Sequence, residues 1–275
     1  MSEREENIKA RQVRIQKRKS DELEESKKRD QSIAKWREEF KEQMELEEIT
    51  KANDIKLWTR ALFVAGDVVE FRCIANPGGV IENMWAVYGA DFENVLQGIR
   101  ERQRSPAKYT IFIGTNPRKA KGLAGDENIT LARSLYVDFD TDLQGNEGCR
   151  IDHAILRIRD ANLPPASMVV CTPKGVHAYW LLDEPLTDMQ KFKAYQLWLI
   201  FKLGTDKKIF NPERLMRAPG FECQKRPDRY AHLLICELDM RYSLDEFETL
   251  KGAEPEKTLG LQIKTPWIWA PGIGD

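Results

Sequence analysis

Apolar residues are spread unevenly along the chain. Up to about residue 30 almost no apolar stripe can be drawn, and a segment with so little to bury reads as disorder or a loose, solvated helix. From Ile33 the pattern changes, because Ile33, Trp36, Phe40 and Met44 recur at i, i+3, i+7 and i+11. That narrow helical stripe suits a cap on the body or a partner helix. Beyond about residue 55 the spacing becomes that of a globular domain. Residues 67–74 alternate as a strand, and 75–80 break it with Pro and Gly. Phe92, Val95, Leu96 and Ile99 predict a helix over 91–103. Strands follow at 109–114 and 134–140, and Ile155, Leu156 and Ile158 mark a helix over 152–162 that Pro164 and Pro165 end. Two short strands, 168–171 and 177–182, flank a turn at 172–176. Residues 187–203 read as a long helix with Thr187 as its N-cap. A strand at 232–238 and a short helix after Ser243 complete the pattern.

Strands interleaved with helices, one hairpin among them, predict an α/β fold built on a mixed sheet with flanking helices. Three parts are expected: a charged helical extension over 1–54, a folded domain over 55–252, and a tail or linker over 253–275 carrying Trp267 and Trp269. Charge changes the picture only when it is divided. The whole chain holds 43 Lys+Arg against 44 Asp+Glu, net -1, which excludes a bulk cationic coat for nucleic acid. Residues 1–52 contain 14 of each sign, so the remainder is also balanced, and any nucleic-acid contact must come from local patches. The absence of an 18-residue apolar run predicts no membrane span or secretory signal. Cys73, Cys149, Cys171, Cys223 and Cys236 are scattered without a C-x-x-C pair, so neither a zinc ribbon nor a disulfide framework is expected. A reducing cytoplasm is the expected compartment. No Walker A motif is found, so no P-loop helicase is expected in this chain.

Candidate chemistry gathers at strand ends. In Tyr136–Asp140 (YVDFD), Asp138 and Asp140 fall on one face of a strand, about 6.5–7 Å apart. Carboxylates that close repel unless a cation neutralises them, and Mg²⁺ suits such a pair; a strand end capped by surface aspartates is the other reading. In VVCTPKGVHAYW, His177 opens an aromatic strand and shares a face with Tyr179; a structural or solvated histidine is the plainer alternative. In LGTDKKIFNPERLMRAPGFECQK, Asp206 follows a helix end, and Arg214, Arg217 and Lys225 surround a Pro-Gly turn, a composition suited to phosphate. The segment GTNPR leaves a strand and leads into Lys119 and Lys121. Stretch 102–121 holds Arg102, Arg104, Lys108, Arg118, Lys119 and Lys121 with no acidic residue. That stretch, like 202–229, is either a solvated face or a salt-dependent nucleic-acid track.

In their order and spacing, D-F-D, T-P-K-G-V-H-A-Y-W and D…R-L-M-R-A-P-G-F…K resemble the archaeo-eukaryotic primase superfamily. The resemblance points in particular to its RepB-like and primase–polymerase branch from plasmids and phages, and covers roughly residues 67–230. It implies an RRM-like catalytic core and template-directed nucleotidyl transfer from NTPs or dNTPs at a two-metal Mg²⁺ or Mn²⁺ site. Carried over position by position, it implies that Asp138 and Asp140 are metal ligands, with Asp206 as the third carboxylate. His177 would contact the phosphates of the incoming nucleotide, with Thr172, Lys174, Arg217 and Arg118 beside it. Pro173-Lys174-Gly175 replaces the family's Gly-rich turn, and Cys223 stands where Asn is common. Arg102, Arg104, Lys119, Lys121, Lys225 and Arg226 would follow the nucleic acid. The implied partners are single-stranded DNA template, nucleoside triphosphates, and a helicase fused downstream or acting in trans. The expected role is primer synthesis for a phage, plasmid or other mobile element in a bacterial or viral replication context. Gap-filling repair synthesis, and a non-catalytic replication-origin or single-strand-binding RRM-like module, are the alternatives.

Overall fold

A computed structural model describes residues 50–76, 78–139, 147–224 and 226–252, with backbone alone at 147–149, 226–229 and 251–252. The stripe Ile33–Met44 and the tryptophans of the tail lie outside these residues. The first helix, α1 (50–62), runs across the boundary expected at residue 54. It does so because Ile55, Trp58 and Leu62, at i, i+3 and i+7, bury completely in the core of the domain. Each such side chain contributes about 1.5–3 kcal/mol of burial. Among the described residues, no helix is long and apolar enough to cross a membrane.

Two principal sheets follow. The first is antiparallel in the order β2 (Ile81–Val87), β1 (Val68–Ala75), β3 (Tyr109–Gly114), β7 (Leu215–Arg217). Alternation along β1 sends Val69, Phe71 and Cys73 to one face. There α2 (Phe92–Arg104) lays down Phe92, Leu96 and Ile99, with the Phe71 and Phe92 rings 5.9 Å apart. The second sheet centres on β6 (Val176–Leu186), with β5 (Met168–Cys171) and β4 (Ala132–Phe139) antiparallel to it. Beyond β5 lies β10 (His232–Cys236), and the short β11 (Arg241–Tyr242) runs parallel to β6, which makes the sheet mixed. A small pair, β8 (Glu222–Cys223) and β9 (Arg226–Tyr230), carries the chain from the first sheet to the second. Helices α3 (Glu147–Asp160), α4 (Met189–Leu203) and α5 (Leu244–Gly252) complete the α/β fold.

The expected α/β class and mixed sheet hold, but the strands divide between two sheets. At Tyr136 the β4 backbone is met by a side chain, that of Gln196 in α4. Its amide is fully buried, accepts from Tyr136 N at 3.0 Å and donates to Tyr136 O at 3.1 Å. The free edge of β4 is thereby closed at that point by a side chain, where a further strand would otherwise pair. One local expectation is corrected: the N-cap of α4 is Asp188, not Thr187. Asp188 accepts from the N–H groups of Gln190 and Lys191, and a carboxylate also complements the helix N-terminus.

Candidate active site

Asp138 and His177 are direct cross-strand partners on β4 and β6, so their side chains share one face of the second sheet. The His177 Nε2 lies 3.8 Å from Asp138 Oδ2; the imidazole is nearly buried and the carboxylate 22% exposed. Burial, with the Arg217 charge adding to it, holds the His177 pKa down to about 3. The approach to Asp138 is therefore that of a neutral imidazole to a carboxylate and not an ion pair. On the other side of the ring, Nδ1 is 3.4 Å from the hydroxyl of Tyr179, which stands two residues on along the same face. Tyr179 in turn meets Trp58 of α1 edge to face at 5.8 Å. A helix from outside the recognised motifs thus forms the floor of the site.

Asp206 joins through the backbone. The αL residue Gly204 ends α4, and the returning chain donates Asp206 N–H to Asp138 O at 3.1 Å. The half-buried Asp206 carboxylate accepts from Lys208 N–H at 2.9 Å, which fixes the loop. Asp140, the other member of the aspartate pair, lies outside the described residues, as does Lys225. Among the described residues, no three metal-capable side chains gather. The donors in place are partly exposed carboxylates, the hard oxygen ligands that suit Mg²⁺ or Mn²⁺.

Arg217 reaches the site from the first sheet. It is the cross-strand partner of Phe112, and its guanidinium lies 5.2 Å from that ring's centroid. Its Nη1 is buried without a hydrogen-bond acceptor, as is Nε of Arg214. The preceding strap, 211–214, is tied down from several directions. Asn116 donates to Pro212 O at 2.9 Å, Thr115 donates from backbone and hydroxyl to Arg214 O, and the Tyr136 hydroxyl donates to Asn211 O. The Asn-Pro-Arg segment therefore holds the strap that delivers Arg217. The turn beyond it needs Gly220, whose φ is +77° and where a Cβ would collide with the Lys51 carbonyl oxygen of α1.

Several expected contacts fall elsewhere. Arg118 has its side chain fully buried and paired with Glu70 and Glu213 inside the fold. Thr172 is engaged within its own turn. Its hydroxyl accepts from Gly175 N–H at 2.9 Å and donates to Gly175 O at 3.1 Å, which closes the β5–β6 turn internally. Lys174 is exposed on that turn. The expected 102–121 track is not continuous, because Arg102 pairs with Glu82, Lys121 pairs with Asp91, and Arg118 is inside. Arg104 ends α2, Lys119 is exposed, and Arg226 opens β9. The sequence reading missed Tyr136, Trp58 and Gln196, since aromatic and amide residues in apolar runs look like ordinary core.

The two-sheet arrangement, with Asp138 and His177 on one sheet and Arg217 on the other, is similar in fold to solved domains of primase-type proteins. One similar structure is the AEP domain of the cyanophage S-2L primase-polymerase (PrimPol), at TM-score 0.57 and 19% identity over 72% of this chain and 97% of that one. The catalytic domain of primase RepB', solved in complex with initiator DNA, aligns at TM-score 0.50 and 13% identity over 74% and 93%. No family model and no curated protein matches the sequence.

Proposed function

We propose that this chain is a primase or primase–polymerase that joins nucleoside triphosphates on a single-stranded DNA template. The observation that carries the proposal is the pairing of Asp138 with a neutral, buried His177 beside Arg217, whose buried Nη1 lacks an acceptor. An anionic oxygen is the natural complement of that unfilled donor. Support also comes from the names of the structural neighbours, one a phage primase-polymerase and the other a primase solved with initiator DNA.

In the reaction, a 3′-hydroxyl oxygen attacks the α-phosphorus, the bond to pyrophosphate breaks, and the hydroxyl proton leaves to solvent. Arg217, and Lys174 from the exposed turn, hold phosphate oxygens; position counts for more here than any covalent role. His177, neutral at pH 7, donates from Nε2–H without carrying charge into the site. Asp138 and Asp206, with Asp140 two residues beyond Asp138, would hold Mg²⁺ or Mn²⁺. Such a cation, when bound, lowers the pKa of the attacking hydroxyl and offsets charge on the departing pyrophosphate.

The test is nucleotide incorporation on single-stranded DNA, with and without an annealed primer, by wild type and by Asp138→Ala/Asp140→Ala, with Mg²⁺ or Mn²⁺. Wild type should incorporate and the double variant should not. Dinucleotide formation without a primer indicates priming, and extension restricted to an existing 3′ end indicates gap filling. If wild type is inert with every template and metal, or the double variant matches it, the catalytic assignment fails and a non-catalytic strand-binding module is left.

A further inference from the structure

The face of the first sheet opposite α2 has a composition the proposed chemistry does not use. Cross-strand register aligns Asn83, Arg72, Phe112 and Arg217 in one row across all four strands. Trp85 stands two residues from Asn83 on the same face, beside Glu70. Trp85, Arg72, Phe112 and Arg217 are all half-buried, and Ile81 at the rim is 58% exposed. A sheet face packed as core would bury these rings, as the opposite face buries Phe71 and Ile113 completely.

Charge on this face favours an anion. Glu70 is 1% exposed and lies under the Arg72 guanidinium, which is itself 31% exposed, so solvent meets the cation of that pair and not the anion. Arg217 adds a second cation at the β7 end of the row, and its charge helps lower the His177 pKa.

We propose that this face is a platform for single-stranded DNA, with Phe112 and Trp85 stacking on unpaired bases and Arg72 contacting the backbone. Half-exposed rings separated by guanidinium groups match a ligand that alternates flat bases with phosphates; paired bases expose no face to stack on. The platform takes the place of the 102–121 track, in which Arg102, Arg118 and Lys121 pair with carboxylates. It deepens the nucleotidyl-transfer reading, and rests on it, by naming where the strand lies.

The experiment is fluorescence anisotropy of a short labelled oligothymidylate across a salt series, with wild type, Phe112→Leu, Trp85→Leu and Arg72→Gln. Leucine keeps an apolar side chain in place, and urea midpoints measured in parallel identify any variant that loses the fold. Each leucine variant should bind roughly ten-fold more weakly with an unchanged salt slope. Arg72→Gln should bind more weakly with the slope reduced by about one. Leucine variants that bind as wild type does, or an Arg72→Gln slope equal to that of wild type, overturn the platform. Incorporation assays on the same proteins separate the two ideas. A wild type that binds through this face and incorporates nothing sinks the transferase reading alone. A wild type that incorporates while all three variants bind as it does sinks the platform alone.

Discussion

His177 brings three environments to one ring: a buried sheet face, the Tyr179 hydroxyl, and the Asp138 carboxylate. Burial first, then the Arg217 charge, keeps it neutral far into acid, with its pKa near 3 against about 6.5 when unfolded. The sign follows directly. As pH falls below about 6.5 the unfolded chain takes up the proton first, so the stability tied to the neutral ring is present above that pH and is lost toward pH 3. Between pH 7 and 5 this loss is about 2 kcal/mol. Urea unfolding at the two pH values should show it in wild type and show much less in His177→Gln; equal pH dependence in both would place the effect on other groups. Gly220 gives a second test at this scale. Gly220→Ala must move either the turn or α1, and it should lower the urea midpoint and nucleotide incorporation together. Unchanged values for both would mean that the Lys51 contact yields easily.

Among the elements, the decisive contact is a side chain that closes a strand edge. Gln196 has the hydrogen-bonding pattern of a peptide group, so it can occupy the place of a neighbouring strand on β4 at Tyr136. Gln196→Leu leaves a buried donor and acceptor unsatisfied, and a loss of about 1–3 kcal/mol is expected by urea unfolding. No measurable change would mean that water replaces the amide. Element positions were largely legible, because β1 and α2 follow plain periods of 2 and 3.6, and β3 and β5 are short, mostly apolar runs bounded by turn residues. β2 was not, since Ile81, Trp85, Met84 and Ala86 place apolar residues on both of its faces. β7 is three residues long and exists only because β3 offers it an edge. The cap of α4 was misread by one position, because Thr187 and Asp188 are both good N-cap residues and only the backbone path chooses between them.

At the scale of the molecule, the site depends on two sheets being held in fixed relation. Arg118 does part of this, since it joins Glu70 of β1 to the strap at Glu213 that leads into β7 and Arg217. Arg118→Met leaves the buried Glu70 carboxylate with Arg72 alone, partly stranding it, and should cost about 1–3 kcal/mol. Glu70→Gln added to Arg118→Met should recover much of that in a double-mutant cycle, because the stranded charge is gone. Additive losses would show that the ion pair is not what holds the strap.

By itself, the sequence determined the local periods, the absence of a bulk positive charge, and the motif positions Asp138, His177, Asp206 and Arg217. These depend on neighbours a few residues apart, where spacing translates directly into a shared face. Only the tertiary structure decided that Asp138 and His177 oppose each other, that Arg217 arrives from a different sheet, and that α1 lies beneath them. It also decided which cations are free to act. Arg118, Arg102 and Lys121 read as a basic track along the chain, but each is paired with a carboxylate contributed by another segment. An arginine has the same chemistry whether buried against a glutamate or open to a phosphate; what distinguishes the two is a partner distant in sequence, and folding supplies it.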